Sequence, residues 1–453
     1  MRGRRGREPT TDISPGTGLL GIGADITPGR CDSFGQSIVR PILAFARPPG
    51  ITGPRGFSVA NRRGRPPLAR STSNAPGRNR TCDLALRRRA LYPLSYWRRG
   101  KASLPAVGRW YVPAVDVSAR IATLDLAETF DISRSARDSE DVLVVELRHS
   151  GVSGFGEAQP IDRYEESTGS ALAYLEEHAA LLGDDPFALE EVMELLPARE
   201  FAARAAIDAA LHDLQGKLLG QPVWRLLGLR RTGPPTSWTV WLGDPDDMAG
   251  RAEKALDRFG RLKLKLGGRD GLDVERVRAV RGVAGDLPLQ VDVNEAWSLE
   301  EALESLPVLA ELGVEYCEQP LPARDPGGPE LRDRSPLPIY VDEDCHTLGD
   351  IAACAERAHG INVKLAKSGG IREAVRMVHA ARALGLGCML GCMIESGLGI
   401  SAGAQVASLF DHVDLDGNLL LAQDPWPGVP FVDGVQLPPE EPGLGVHAVS
   451  TAR

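Results

Sequence analysis

Three acidic residues fall at the ends of three successive β-like runs: Asp292 in VDVNEAW, Glu318 in EYCEQPL and Asp342 in IYVDED, spaced 26 and 24 residues apart. Lysine-bearing runs precede and follow them, RLKLKLG at 261–267 and INVKLAK at 361–367. A divalent cation ringed by carboxylates, with an amine on either side, can serve to take a proton from the carbon beside a carboxylate and return it. About 25 residues is the length of one strand, one helix and their loops, so each acid marks the same place in a repeated βα unit. In a closed parallel barrel every strand C-terminus faces one end, and acids on sequential strands converge there.

Alternation within the lysine runs assigns their faces. Lys263 and Lys265 alternate with Leu262, Leu264 and Leu266, so with period two both lysines share one face and the leucines the other. An amphipathic strand with solvated lysines is the ordinary alternative. In a barrel, however, the leucine face meets the helices, and two inward cations need the anions that the next strands supply. In the second run Asn362 and Lys364 share a face, while Lys367 falls beyond the expected end of the strand. If the two runs lie opposite each other in an eight-stranded ring, Lys265 and Lys364 flank whatever binds at the centre.

The elements that must hold these residues follow from the rhythm of the chain. After Gly233 come eight strand-like runs, TSWTVWLG, RLKLKLG, LPLQVDVN, GVEYCEQP, LPIYVDED, GINVKLAK, GCMLGCMI and HVDLDGN, with helical pieces between most of them. This predicts a barrel over 234–417. Upstream, two alternating apolar runs (ARIATLDLAETF and DVLVVELRHSGVSGFGEAQP) precede three helical stretches, which predicts a separate α+β unit over 112–233. The Pro/Gly-rich segment 418–453 is expected to return to that first unit.

Residues 1–111 differ from the rest. The first 110 hold 21 of the 52 Lys and Arg but only 5 of the 61 Asp and Glu, although the whole chain carries a formal net charge of −9. This leader has no sustained periodicity, and NRTCDLALRRRALYPLSYWRRG resembles a peptide obtained when a stable-RNA gene is translated as coding sequence. The expectation is a disordered or mis-annotated leader, with the true start near Val112 to Val115. A basic nucleic-acid arm is the alternative, weakened by few aromatics and no framed motif, and a transit peptide is another, though long. Nucleic acid is therefore not an expected partner, and, as no run of eighteen apolar residues occurs, neither is a membrane. The seven cysteines offer no paired framework, and Cys388 and Cys392 are expected to be reduced core residues of a cytoplasmic protein.

The region from about 115 to 430 resembles the enolase superfamily, in its muconate lactonizing subgroup, and most closely the dipeptide epimerases. The resemblance rests on KLKLG at 263–267, VDVNEAW at 291–297, EQP at 318–320, VDED at 341–344, NVKLAKSGG at 362–370, MIESGLGI at 393–400 and DLDG at 414–417. It implies an α+β capping domain over a (β/α)₇β TIM-like barrel. It also implies Mg²⁺ held by Asp292, Glu318 and Asp342, with Asn294 and Glu343 behind the ligands or orienting substrate. Lys265 and Lys364 match the two acid/base lysines, and Lys263 the companion that contacts the substrate carboxylate and helps hold its neighbour neutral. A lysine can act as a base only when neutral, so burial, Lys263 and the metal are expected to lower its pKa. Removal of the α-proton on one face and its return on the other, through an enediolate, would invert the α-carbon of a dipeptide's C-terminal residue.

The substrate expectation, a small-molecule dipeptide, rests on Asp414 and Asp416, which resemble the pair that receives the free ammonium group. Arg137, or else Arg134, falls where the family often keeps an arginine for a far carboxylate, as in L-Ala-D/L-Glu. Two departures bear on that specificity: Glu165 stands where Gly is frequent, and Asn418 where Pro is common. Muconate cycloisomerase, o-succinylbenzoate synthase and N-acylamino acid racemase chemistry share the same core and remain open, as does a non-catalytic binding protein on this scaffold. Mandelate-racemase-like chemistry is disfavoured, since GCMLGCMI offers no histidine. A homo-oligomer is compatible with the sequence.

Overall fold

The computed structural model describes residues 114–449, all within the compact unit Lys101–Arg453; the basic leader 1–111 lies outside the described residues. The chain opens with an antiparallel sheet of β1 (Asp116–Ile132), β2 (Ser135–His149) and β3 (Val152–Ala158), where the sequence predicts two alternating runs. Strict alternation along β2 explains how this sheet is used. Val142 and Val144 join the core that continues into the barrel, whereas Leu143, Val145 and Leu147 pack among the capping helices. Both faces of the strand are therefore buried, and the sheet is clamped between two apolar layers.

The helix Phe201–Leu219 lies against β3. Its alanines permit a close approach, and 13 of its 19 residues are buried. At Gly156 the approach is closest, since a Cβ there would stand 2.0 Å from the Ala206 carbonyl oxygen. Backbone on both sides cannot yield as a flexible side chain would. Gly156→Ala is expected to cost about 1–3 kcal/mol of stability, measured as a lower denaturant midpoint with an unchanged slope.

The second unit is an eight-stranded parallel sheet built from β4 (Trp238–Val240), β5 (Leu262–Lys265), β6 (Leu289–Asp292), β7 (Val314–Glu318), β8 (Ile339–Val341), β9 (Gly360–Lys364), β10 (Gly387–Gly391) and β11 (His412–Asp414). The strands pair in chain order. A bridge between Thr236 and Val413, with Ser237 N donating to Val413 O at 3.0 Å, joins the first strand to the last and closes the ring. Helical segments occupy each of the seven connections, so the architecture is (β/α)₇β. Leu262, Leu264, Leu289, Val291, Ile361 and Val363 face the helices in the shared core.

The residues between them point inward and form layers. Beneath the site, Tyr316, Tyr340 and Met389 make a separate apolar cluster, and the Tyr316 ring lies 4.6 Å from that of His412. Tyr316 also donates to Gln290, whose amide donates to Ser237 at 2.8 Å. The barrel interior is thus a packed floor beneath the strand C-termini.

After β11 the chain contacts both units. Leu421 bridges to Leu126, Gly443 N donates to Gln221 O at 3.0 Å, and Leu444 N donates to Asp213 Oδ1 at 2.7 Å. The hairpin of β12 (Phe431–Val432) and β13 (Val435–Gln436) meets the barrel where Thr236 N donates to Gly434 O.

Candidate active site

Register aligns the chemistry. Lys265, Asp292 and Glu318 are successive partners across β5, β6 and β7, and Lys364 and Asp414 both pair with Gly391 across β9, β10 and β11. Lys265 and Lys364 stand four strands apart in a ring of eight, on opposite sides. A Cβ at Gly391 would lie 3.1 Å from Lys364 Cε, so the glycine leaves room for that side chain. Above the strand ends lies a cavity of about 460 Å³, lined by Lys263, Lys265, Lys364, Asn294, Asp414 and Asp416 and, from the capping unit, by Arg134 and Arg137.

Asp292, Glu318 and Asp342 lie just beneath this lining, at most 2 % exposed. Lys263 Nζ bridges Asp292 at 3.0 Å, Glu318 at 2.8 Å and Asp414 at 2.8 Å. Lys265 Nζ is 2.6 Å from Asp292 and 3.1 Å from Asn294 Oδ1, while Lys364 Nζ is 2.9 Å from Asp342. Among the described residues no three acids are gathered as a preformed metal site, and ammonium groups lie against Asp292, Glu318 and Asp342. The donor set nevertheless fits a hard divalent cation: it is all carboxylate oxygen, and Glu318 Oε2 has no aligned hydrogen-bond donor despite its 2.8 Å approach to Lys263.

Sequence reasoning missed Lys367. The strand stops at Lys364, and a short turn of helix, Leu365–Ser368, carries Lys367 back beneath the site. Its ammonium is fully buried and donates to Asp342 Oδ1 at 2.6 Å, Asp342 O at 2.7 Å and Asn362 O at 2.9 Å. Asn362 in turn donates to Glu318 Oε1 at 2.7 Å. These contacts fix two of the acids in orientation.

Asn294 and Glu343 sit in one chain with the capping unit. Asn294 Nδ2 reaches Glu343 Oε1 at 3.4 Å, and Arg134 donates to the same oxygen at 2.8 Å. Asn294 and Glu295 follow β6 at φ of 46° and 69°, a conformation costly for such residues and characteristic of functional loops. Glu295 takes two hydrogen bonds from Arg163, at 2.9 and 2.8 Å, which seats the capping loop on the barrel mouth. Arg137 lies further out, 3.2 Å from Glu140. Glu165, where the family often has Gly, adopts φ 60°, so the left-handed turn is kept without the residue that suits it best. Cys388 is buried as expected, but Cys392 is only half-buried and lines the cavity.

Burial alone would depress Lys263, but Asp292, Asp414 and Glu318 outweigh it and hold its ammonium well above the usual lysine range. Lys364 behaves likewise: burial works against its charge, but Asp342 prevails and holds its pKa above the usual lysine range. Conversely, Asp292 and Asp342 resist burial and stay below the usual carboxylate range because of the lysines beside them. Burial and Asp342 push Glu343 up to about 7, and burial and Asp414 do the same for Asp416.

Known proteins share this architecture. Residues 115–228 match the model for the mandelate racemase / muconate lactonizing enzyme N-terminal domain, and 247–451 the model for the enolase C-terminal domain-like family. The chain is 38% identical to an L-Ala-D/L-Glu epimerase from Bacteroides thetaiotaomicron, over 72% of this chain and 86% of that protein. It is 39% identical to a hydrophobic dipeptide epimerase from Roseobacter litoralis, over 69% and 93% of the two chains. It superposes on the Enterococcus faecalis dipeptide epimerase, solved with Mg and L-Leu-L-Tyr, with a TM-score of 0.70 at 32% identity, covering 74% of this chain and 99% of that one. A capping sheet and helices over a (β/α)₇β barrel, with acids and lysines at its mouth, thus go together with both family models: the chain belongs to the mandelate racemase / muconate lactonizing enzyme family of the enolase superfamily.

Proposed function

We propose that this protein is a dipeptide epimerase that inverts the α-carbon of a dipeptide's C-terminal residue by two-base proton transfer. The observation that carries this reading is the opposition of Lys265 and Lys364 across the barrel, with a cavity between them whose far wall carries Asp414 and Asp416. An amine on each side suits removal of a proton from one face of a carbon and delivery to the other, with each lysine acting as base in one direction and acid in the reverse.

Asp292, Glu318 and Asp342 would hold Mg²⁺. When bound, that cation would neutralise their charge, polarise the substrate carboxylate as a Lewis acid and relieve the pull that raises the pKa of Lys263 and Lys364. Lys263, fully buried beside Asp292 and Asp414, would bind the substrate carboxylate from below, and Asp416 would accept the free ammonium group. Asn294 and Glu343 would orient the Lys265 side of the site through the contacts they already make.

The decisive experiment incubates the Mg²⁺-loaded protein with a dipeptide library in D₂O and follows α-deuterium by mass spectrometry. Exchange with inversion on free-amine dipeptides is the expected result. Turnover of a muconate or of an o-succinylbenzoate precursor, with no exchange on any dipeptide, would transfer the chain to another reaction of the family. Chelation and dialysis should abolish exchange and added Mg²⁺ restore it. Full activity after metal removal would eliminate the proposed role of the three acids.

A further inference from the structure

The cationic groups at the capping end of the cavity are already committed to acids. Arg134 is 2.8 Å from Glu343 and 3.7 Å from Glu295, Arg163 is 2.8 Å from Glu295, and Arg137 is 3.2 Å from Glu140 and 3.8 Å from Asp162. Three guanidinium groups thus face four carboxylates, so this end of the cavity has no surplus positive charge. Phe130, Ile132, Ile161, Met393, Ile394 and Leu420 supply an apolar lining to the same space.

We infer that the cavity selects dipeptides whose second side chain is uncharged and apolar, and that Glu140 is a specificity residue that withholds Arg137 from acidic ones. This rests on the epimerase reading and gives it a substrate class. An acidic side chain reaching for Arg137 must displace Glu140 and then lie beside it. An exposed ion pair is easily opened, since Arg137 is 43% exposed; Glu140, however, is only 11% exposed, and water cannot screen a like charge brought next to it. Burial already raises the pKa of the Glu140 carboxyl, even with Arg137 alongside. A basic side chain fares no better: Arg137 and Arg134 repel it, and the carboxylate in excess, Asp162, is 83% exposed, where water screens its attraction. An apolar side chain disturbs none of these contacts and exchanges water for the apolar lining.

The test compares kcat/KM for α-deuterium exchange of L-Ala-L-Leu, L-Ala-L-Glu and L-Ala-L-Lys with the full-length, Mg²⁺-loaded protein. The Leu substrate should lead each of the others by at least about tenfold, the scale on which a small change of side chain in an apolar pocket is discriminated. Glu140→Gln, and separately Asp162→Asn, should raise the ratio of Glu to Leu substrate by about tenfold or more for the first and less for the second. Asp162 is 83% exposed, so its variant tests the same charge argument at little risk to folding. A wild-type preference for the Glu or Lys substrate, or a Glu-to-Leu ratio unmoved in both variants, would overturn the inference while leaving the epimerase reading standing. Absence of exchange on all three would overturn both.

Discussion

Lys265→Ala and Lys364→Ala are each expected to lose dipeptide epimerisation by at least about three orders of magnitude, the upper range for a positioned acid or base. The loss should come with a stereochemical signature. Each lysine reaches the substrate from one side of the barrel only, so the variant lacking Lys265 should still exchange the α-hydrogen of one diastereomer with D₂O. The variant lacking Lys364 should exchange only the other. Neither truncation strands a buried charge: Asp292 keeps Lys263 at 3.0 Å and the Asn294 backbone amide at 3.0 Å, and Asp342 keeps Lys367 at 2.6 Å. Thermal melting should therefore move little, which separates lost chemistry from lost folding. Unimpaired inversion in either variant, or both variants exchanging the same diastereomer, would contradict transfer between opposed amines.

Lys367 makes a useful contrast. Among the described residues its ammonium donates to Asp342 and Asn362, and it does not line the cavity. Lys367→Met would remove the donor to Asp342 Oδ1 and to the Asp342 and Asn362 carbonyl oxygens at a depth where the cavity offers no replacement, unlike the loss of the cavity-lining Lys364, so both stability and metal binding should fall together. Arguments from strand alternation cannot find this residue, because its role depends on the chain turning from β9 into helix after Lys364.

What the sequence made legible was whatever is repeated or alternates. Period two along 262–265 put Lys263 and Lys265 on the inner face, and the near-constant spacing of Asp292, Glu318 and Asp342 put them on neighbouring strands of one end. All eight barrel runs became strands for the same reason. What stayed hidden depends on partners distant in sequence. Glu140 acquires meaning only when Asp162, in the turn after β3, comes up against Arg137, its neighbour on β2. The Tyr316, Tyr340 and Met389 floor joins three strands that share no motif. The raised pKa of Lys364 comes from the Asp342 carboxylate at 2.9 Å, which outweighs burial and which no motif spacing gives.

Asp416→Asn is expected to lower kcat/KM for free-amine dipeptides by roughly 30-fold or more, the equivalent of about 2 kcal/mol or more for a buried, charge-assisted contact. Asp414 and Asp416 share the wall, yet their commitments differ. Asp414 holds Lys263 with one oxygen at 2.8 Å and receives the Ser237 hydroxyl at 2.9 Å with the other. Asp416 receives the Thr239 backbone amide at 2.7 Å and makes no ion pair with any described residue. Its carboxyl is pushed up to about 7 by burial and by Asp414, as expected of an acid that still lacks a cation. An ammonium group supplied by the substrate would stabilise the ionised form, so binding should strengthen as pH rises through about 7 and weaken below it. The variant, neutral at every pH, should lose that limb of the kcat/KM profile. N-acylated substrates, having no ammonium group, should be indifferent to the substitution. An equal loss on acylated and free dipeptides would make Asp416 a structural residue and reopen N-acylamino acid racemisation as the reaction of this site.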